Sequence, residues 1–167
     1  MEVDVRDDDA GTGSDNTWVV VTGTERRIFA PGYWYNQYDI TKKNQNLLAR
    51  ETLDCYLRIV NHMSRVFGAK PDQFWQVKDF AQMRDALNTK KTSKDTEIMQ
   101  RQLMAAWLNF ANGSVKWFDL VDTNGDRMPD KQFGQLLRES EELRLNLAAS
   151  RAQLLAQEAI LKTVNGD

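Results

Sequence analysis

The sequence predicts a mainly α protein, a helical bundle with a short β-like arm at its N-terminus. Apolar residues recur at helical spacing in five stretches after residue 50. A dense β-branched run occurs once, at Thr17-Trp-Val-Val-Val-Thr-Gly-Thr24. Asn-Gly pairs at Asn112-Gly113 and Asn165-Gly166 follow periodic segments, as helix stops do.

Taken in order, residues 1–16 are rich in Asp, Gly and Ser and read as a flexible acidic tail. Residues 17–30 form the β-like arm, with Arg26 to Phe29 as a possible second short strand. A strand needs a ladder partner, which is either a hairpin within the arm or another copy of the chain. The helical domain covers 31–167. Pro31-Gly32 breaks the chain before the aromatic run Tyr33-Trp34-Tyr35-Asn36-Gln37-Tyr38. Leu53, Tyr56, Leu57, Val60, Met63 and Phe67 mark a helix that Gly68 stops. Pro71 opens the next, with Phe74, Val77, Met83 and Leu87 apolar, and a third spans Asp95 to Ala111. Phe133, Leu136, Leu137 and Leu143 mark a fourth. Ser150 with Gln153 forms a capping box that opens a last helix through Leu161.

At 167 residues, 41% hydrophobic and 28% charged, the chain suits one domain with a real core. A net charge of −2 supplies no positive field for nucleic acid, and Lys90, Lys91 and Lys94 read as a solvated loop. No apolar run approaches the roughly 18 residues of a membrane span. The acidic start is the opposite of a secretory leader, which fits a cytoplasmic protein or a chain whose signal was removed. The single cysteine, Cys55, reads as a buried small hydrophobe. His62, the one histidine, lies about 10 Å along the same helix, too far for a Cys–His pair. With no phosphate-cradling loop and no Ser-His-Asp pattern, catalysis is not expected. Glu141-Glu142 reads as a solvated helical face.

The one constellation with chemistry is the loop Asp122-Thr-Asn-Gly-Asp-Arg-Met-Pro-Asp130, which puts side-chain oxygens at positions 1, 3, 5 and 9. Calcium takes six to eight hard oxygen ligands. Asp122, Asn124 and Asp126 supply three, the Met128 carbonyl a fourth, and Asp130 a fifth, directly or through water. Gly125 permits the positive φ that such a turn demands. The match to an EF-hand is partial, with Arg127 at position 6 and Phe133 at position 12 in place of Gly and Glu. A fixed structural clip is therefore expected rather than a calcium sensor. The loop is similar to the short Asp-rich calcium turns of thrombospondin type 3 repeats and dockerins.

Three pieces, Pro31-Gly-Tyr-Trp-Tyr-Asn36, Gln102-Leu-Met-Ala-Ala-Trp-Leu-Asn-Phe-Ala-Asn-Gly113 and the Asp122–Asp130 loop, together resemble a helical module of secreted bacterial and archaeal surface proteins. That module has a Gly-Tyr-Trp-Lys-Asn-His segment and an Ala-Ala-x-Leu-Asn-x-Ala-Asn-Gly helix. Tyr35 and Gln37 stand here in place of its Lys and His. The resemblance implies a secreted or cell-surface setting. The expected function is a non-catalytic, calcium-stabilised structural module. Assembly with further copies, or with another surface protein, would run through Trp18, Val19, Val20 and Val21. The alternative is a binding module that presents Tyr33, Trp34 and Tyr35 to carbohydrate or a protein partner.

Overall fold

The computed structural model describes residues 3–6, 12–15, 20–25, 27–39, 41, 48–68, 78–88 and 94–167. In chain order the elements are β1 (Val3–Arg6), β2 (Thr12–Asp15), α1 (Pro31–Tyr38), α2 (Arg50–Met63), α3 (Phe80–Leu87), α4 (Asp95–Ala111), β3 (Leu120–Val121), β4 (Lys131–Gln132), α5 (Phe133–Leu145) and α6 (Arg151–Asn165). The protein is mainly helical, as its periodicity predicts.

Helix α4 is the centre, with the other five helices packed against it or against its neighbours. From Leu103 to Ala111 every residue is buried, so this half of the helix has no solvent-facing side. Trp34, Phe67, Met83, Phe133, Leu136 and Leu161 close around it, each without solvent exposure. A fully buried large apolar side chain contributes about 1.5–3 kcal/mol. An exposed pair such as Arg58–Asp54 contributes well under about 1 kcal/mol, so packing sets the helix positions.

Local signals place α4 and α6 where the sequence puts them. Ser150 Oγ accepts the Gln153 N–H while the Gln153 side chain accepts the Ser150 N–H, and Gly166 ends α6 at φ 65°. Pro31, read as a break, is instead the first residue of α1, where its missing N–H costs nothing. The segment marked by Pro71, Phe74 and Val77 lies outside the described residues, as do Lys90 and Lys91. Asp79 starts α3 by accepting the Gln82 N–H at 2.9 Å.

Three expectations need correction. Helix α2 does not run to Gly68 but ends at Met63. The Ser64 hydroxyl oxygen accepts the Val66 and Phe67 N–H groups at 3.1 and 3.0 Å, and the resulting hook, 64–68, turns Phe67 into the core. Cys55 is exposed, because two residues from Leu53 is a rotation of about 200° to the far side of the helix. Glu141 is 2% exposed rather than solvated, while Glu142 remains outside. Its Oε1 accepts from the Ser64 hydroxyl (2.5 Å), the Arg65 N–H (3.0 Å) and the Trp107 indole N–H (3.0 Å). That one oxygen joins α5, α4 and the hook.

The arm also differs from expectation. Residues 16–19, including Trp18 and Val19, lie outside the described residues, and Val20 to Thr22 form no strand. The acidic tail contains the pair β1–β2, with Val3 opposite Asp15. Residues 23–25 and 27–29 form a strap over the C-terminal end of α4. Gly23 N–H donates to the Ala111 carbonyl at 2.9 Å, and Glu25 N–H to the Asn112 carbonyl at 3.0 Å. Helix ends leave such carbonyls without intrahelical donors, and the strap supplies them. Gly23 and Gly113 meet so closely that a Cβ on Gly113 would lie 1.9 Å from the Gly23 oxygen.

Beneath the strap runs a chain of buried amides. Asn109 Oδ1 accepts from the Phe29 N–H (3.0 Å) and the Trp34 indole N–H (3.2 Å). Its Nδ2 donates to the Phe29 carbonyl (2.9 Å) and to Asn165 Oδ1 (3.1 Å). Asn165 Nδ2 in turn donates to the Gln102 carbonyl and to its side-chain oxygen. All four hydrogen-bonding positions of the Asn109 side chain are therefore used.

Candidate metal centre

The loop Asp122–Asp130 joins β3 to β4, which pair antiparallel with Leu120 opposite Gln132. Asp130 N–H donates to the Val121 carbonyl, Phe133 N–H to the Asp119 carbonyl and Gly134 N–H to the Trp117 carbonyl, each at 2.9 Å. These bonds close a hairpin at the foot of α5. The hairpin is anchored by Phe133, fully buried, and by Trp117, whose ring lies against Gly134 where no Cβ would fit. Trp117 also stands 6.0 Å from Trp107 and 5.7 Å from Phe110, centroid to centroid. The loop is thus an exposed turn on a rigid base.

Within it three Asx turns follow one another. Asp122 Oδ1 accepts the N–H of Asn124 (3.0 Å) and Gly125 (2.7 Å), and its Oδ2 accepts that of Arg127 (2.6 Å). Asn124 Oδ1 accepts the Asp126 N–H at 2.8 Å, and Asp126 Oδ1 accepts the Met128 N–H at 2.7 Å. Each turn ties a side chain to the backbone two residues on, so the oxygens at positions 1, 3 and 5 are set by one repeated motif. Burial tends to raise the Asp122 carboxyl, but hydrogen bonds from Gly125, Arg127, Asn124 and Asp126 prevail and hold it below the usual carboxylate range.

Gly125 takes φ 82°, as expected, and Arg127 takes φ 70°. The latter is the position where an EF-hand places Gly. A non-glycine residue there costs about 1–2 kcal/mol, and the bond from its N–H to Asp122 holds it in place. Asp130 is turned to Thr123, accepting its N–H at 3.0 Å and its hydroxyl at 2.9 Å on both oxygens. Consequently, among the described residues, no three His, Cys, Asp or Glu side chains gather as a ready metal cluster. Asp122, Asn124 and Asp126 are the members of the expected ligand set that share the run of turns, with Asn124 Nδ2 donating to Asp126 Oδ2 at 3.2 Å. The Met128 side chain is exposed, which leaves its carbonyl as the donor in question. No described residue forms an ion pair with Asp122, Asp126 or Asp130.

The aromatic run is no open platform. Trp34 has no exposure, correcting its place in a surface binding site, and it packs edge-on against Phe29, Tyr33 and Tyr56. Tyr33 is half-buried and stacks on Phe29 at 3.9 Å, Tyr35 is half-buried, and the Tyr38 hydroxyl donates to the Leu53 carbonyl from a buried position. A hollow of about 510 Å³ lies between α2 and α3, lined by Arg50, Asp54, Leu57, Lys78, Asp79 and Phe80. Two of its carboxylates serve local structure: Asp54 holds Arg58, and Asp79 caps α3.

Sequence reasoning missed Glu141 and Asn109 as organising residues. Asn109 had a signal, since it belongs to the Leu-Asn-Phe-Ala-Asn-Gly segment that carries the resemblance. Glu141 had none, because its partner Ser64 is 77 positions away. Comparison with protein-family models, curated proteins and solved structures finds no match for this chain.

Proposed function

We propose that the chain is a non-catalytic structural module of a secreted or cell-surface protein, clipped by Ca²⁺ in the loop Asp122–Asp130. The observation that carries this reading is the run of three Asx turns bearing Asp122, Asn124 and Asp126 beside carboxylates that no described cation neutralises. A hard divalent ion takes oxygen ligands from such alternate positions, and Asp122, kept ionised by its backbone hydrogen bonds, offers it a charged one. The Met128 carbonyl is a fourth ligand. Asp130, leaving Thr123, is a fifth, directly or through water. Phe133, in the core at the position where an EF-hand has its bidentate Glu, makes the clip a static one. The resemblance to surface-protein modules supports the setting, where calcium is abundant enough to fill a weak site.

Calorimetric titration with CaCl₂ is expected to give heat at one site. Calcium at about one hundred times Kd is expected to raise Tm by roughly 5–10 °C over a chelator control. Asp126→Asn keeps the turn to Met128 while removing one charge, and it should weaken both signals. Absence of heat and of any Tm difference in the parent chain would reduce the loop to an ordinary turn.

The arm adds an assembly role to this reading. Val21 is 76% exposed two residues before the pinned Gly23, and there it is open to pairing with a neighbouring copy. Removing residues 1–21 takes away the arm and keeps the strap residues from Gly23 on, and light scattering should then report smaller particles than the full chain forms. Equal particle sizes would exclude the arm.

A further inference from the structure

Glu141 has no part in the calcium reading, yet it is the carboxylate on which three elements of the core converge. The two N–H groups of Val66 and Phe67 point at the Ser64 hydroxyl oxygen, so the Ser64 proton is directed at Glu141 Oε1. The Arg65 N–H and the Trp107 indole aim at the same atom. These three donors thus meet one oxygen, which stays an acceptor whether the group is ionised or carries a proton on Oε2. Taking up a proton removes a buried charge, and the three bonds to Oε1 weaken without losing their acceptor.

We propose that Glu141 is a proton-operated latch, holding the hook 64–68 against α4 and α5 more firmly in acid and loosening it as the medium becomes neutral. Among the described residues, the following groups lie against it or beside it. The hook presents the Ser64 hydroxyl and backbone N–H groups, and the guanidinium of Arg65 lies 3.7 Å from Glu142. Helix α4 presents the uncharged indole of Trp107. On α5 the adjacent charge is Glu142, which is exposed and paired with Arg65, and one turn to either side stand Arg138, exposed, and Arg144, which donates to Gln100 Oε1.

Burial raises the Glu141 carboxyl above its ordinary value of 4.5, and the hydrogen bonds from Ser64, Trp107, Arg65 and Val66 offset this only in part. A group with a raised value in the folded state binds its proton more tightly there than in the unfolded chain. Its stabilising contribution is full below the ordinary value and is lost as pH rises through the raised one.

The test is a carboxyl-carbon NMR titration of Glu141 in the full chain, with amide exchange at Val66, Phe67 and Gly68 corrected for intrinsic rates. The expected midpoint lies above 4.5. Protection of the three amides should fall from acid to neutral pH in the wild type and stay level in Glu141→Gln. A midpoint at or below the ordinary value overturns the latch, as do parallel exchange profiles in the two proteins. The titration uses the native chain and stands whether or not the variant folds.

Discussion

Replacing Asn109 with alanine is expected to lower the unfolding free energy by about 4 kcal/mol, measured by urea denaturation with an unchanged m-value. The substitution removes four hydrogen bonds at once and leaves the Phe29 N–H and carbonyl and the Trp34 indole N–H without partners. Asn165 loses its acceptor role as well. Each buried polar group left unmade costs about 1–3 kcal/mol, so even partial relaxation leaves a large effect. Asn109→Asp should be nearly as costly. Its second oxygen would face the Phe29 carbonyl and Asn165 Oδ1, acceptor against acceptor, and would add a buried charge. A loss below about 1 kcal/mol for Asn109→Ala would show that the strap and α1 do not depend on this amide.

Gly113→Ala is expected to detach the strap and cost about 3 kcal/mol or more. Two effects act together. The residue sits at φ 87°, where a side chain costs about 1–2 kcal/mol. Its Cβ would also stand 1.9 Å from the Gly23 oxygen and 2.5 Å from its carbonyl carbon, both backbone atoms that cannot swing aside. Displacing the strap exposes the Ala111 and Asn112 carbonyls that Gly23 and Glu25 serve. Gly166→Ala separates the two effects, since its φ of 65° carries the conformational cost but nothing lies within 4 Å of the added atom. The control should lose only about 1–2 kcal/mol. Limited trypsinolysis at the exposed Arg27 reads the detachment directly, with rapid cleavage in Gly113→Ala and slow cleavage in Gly166→Ala. Equal cleavage rates would mean that the glycine contact does not hold the strap.

The helices that could be read in advance are those whose instructions are local. The bounds of α4 follow from its apolar spacing and Asn112-Gly113, and those of α6 from Ser150, Gln153 and Gly166. The oxygen-bearing side chains of the calcium loop could be read for the same reason, since each Asx turn spans only two residues. The turn of Asp130 onto Thr123 could not, because spacing does not say which of two nearby donors a carboxylate takes.

Misreadings cluster where the partner is far along the chain. Val20 to Thr22 have the composition of a strand, but no ladder partner is present among the described residues. The backbone that follows serves carbonyls at the end of α4, nearly ninety positions on. Cys55 shares its neighbourhood with Leu53 and Leu57, yet a half-turn of phase puts it in water. Glu141 looks like its neighbour Glu142 until the hook from α2 covers one of them and not the other.

Residue order therefore settles where most helices begin and end and which oxygens the loop can offer, because hydrogen bonds and side-chain periods of one to four residues govern those features. Which carboxylate is buried, where the strap lies and which aromatic ring faces solvent depend on surfaces that meet only after collapse. Those contacts join residues tens of positions apart, and their free energy belongs to the packed core rather than to any single segment of chain.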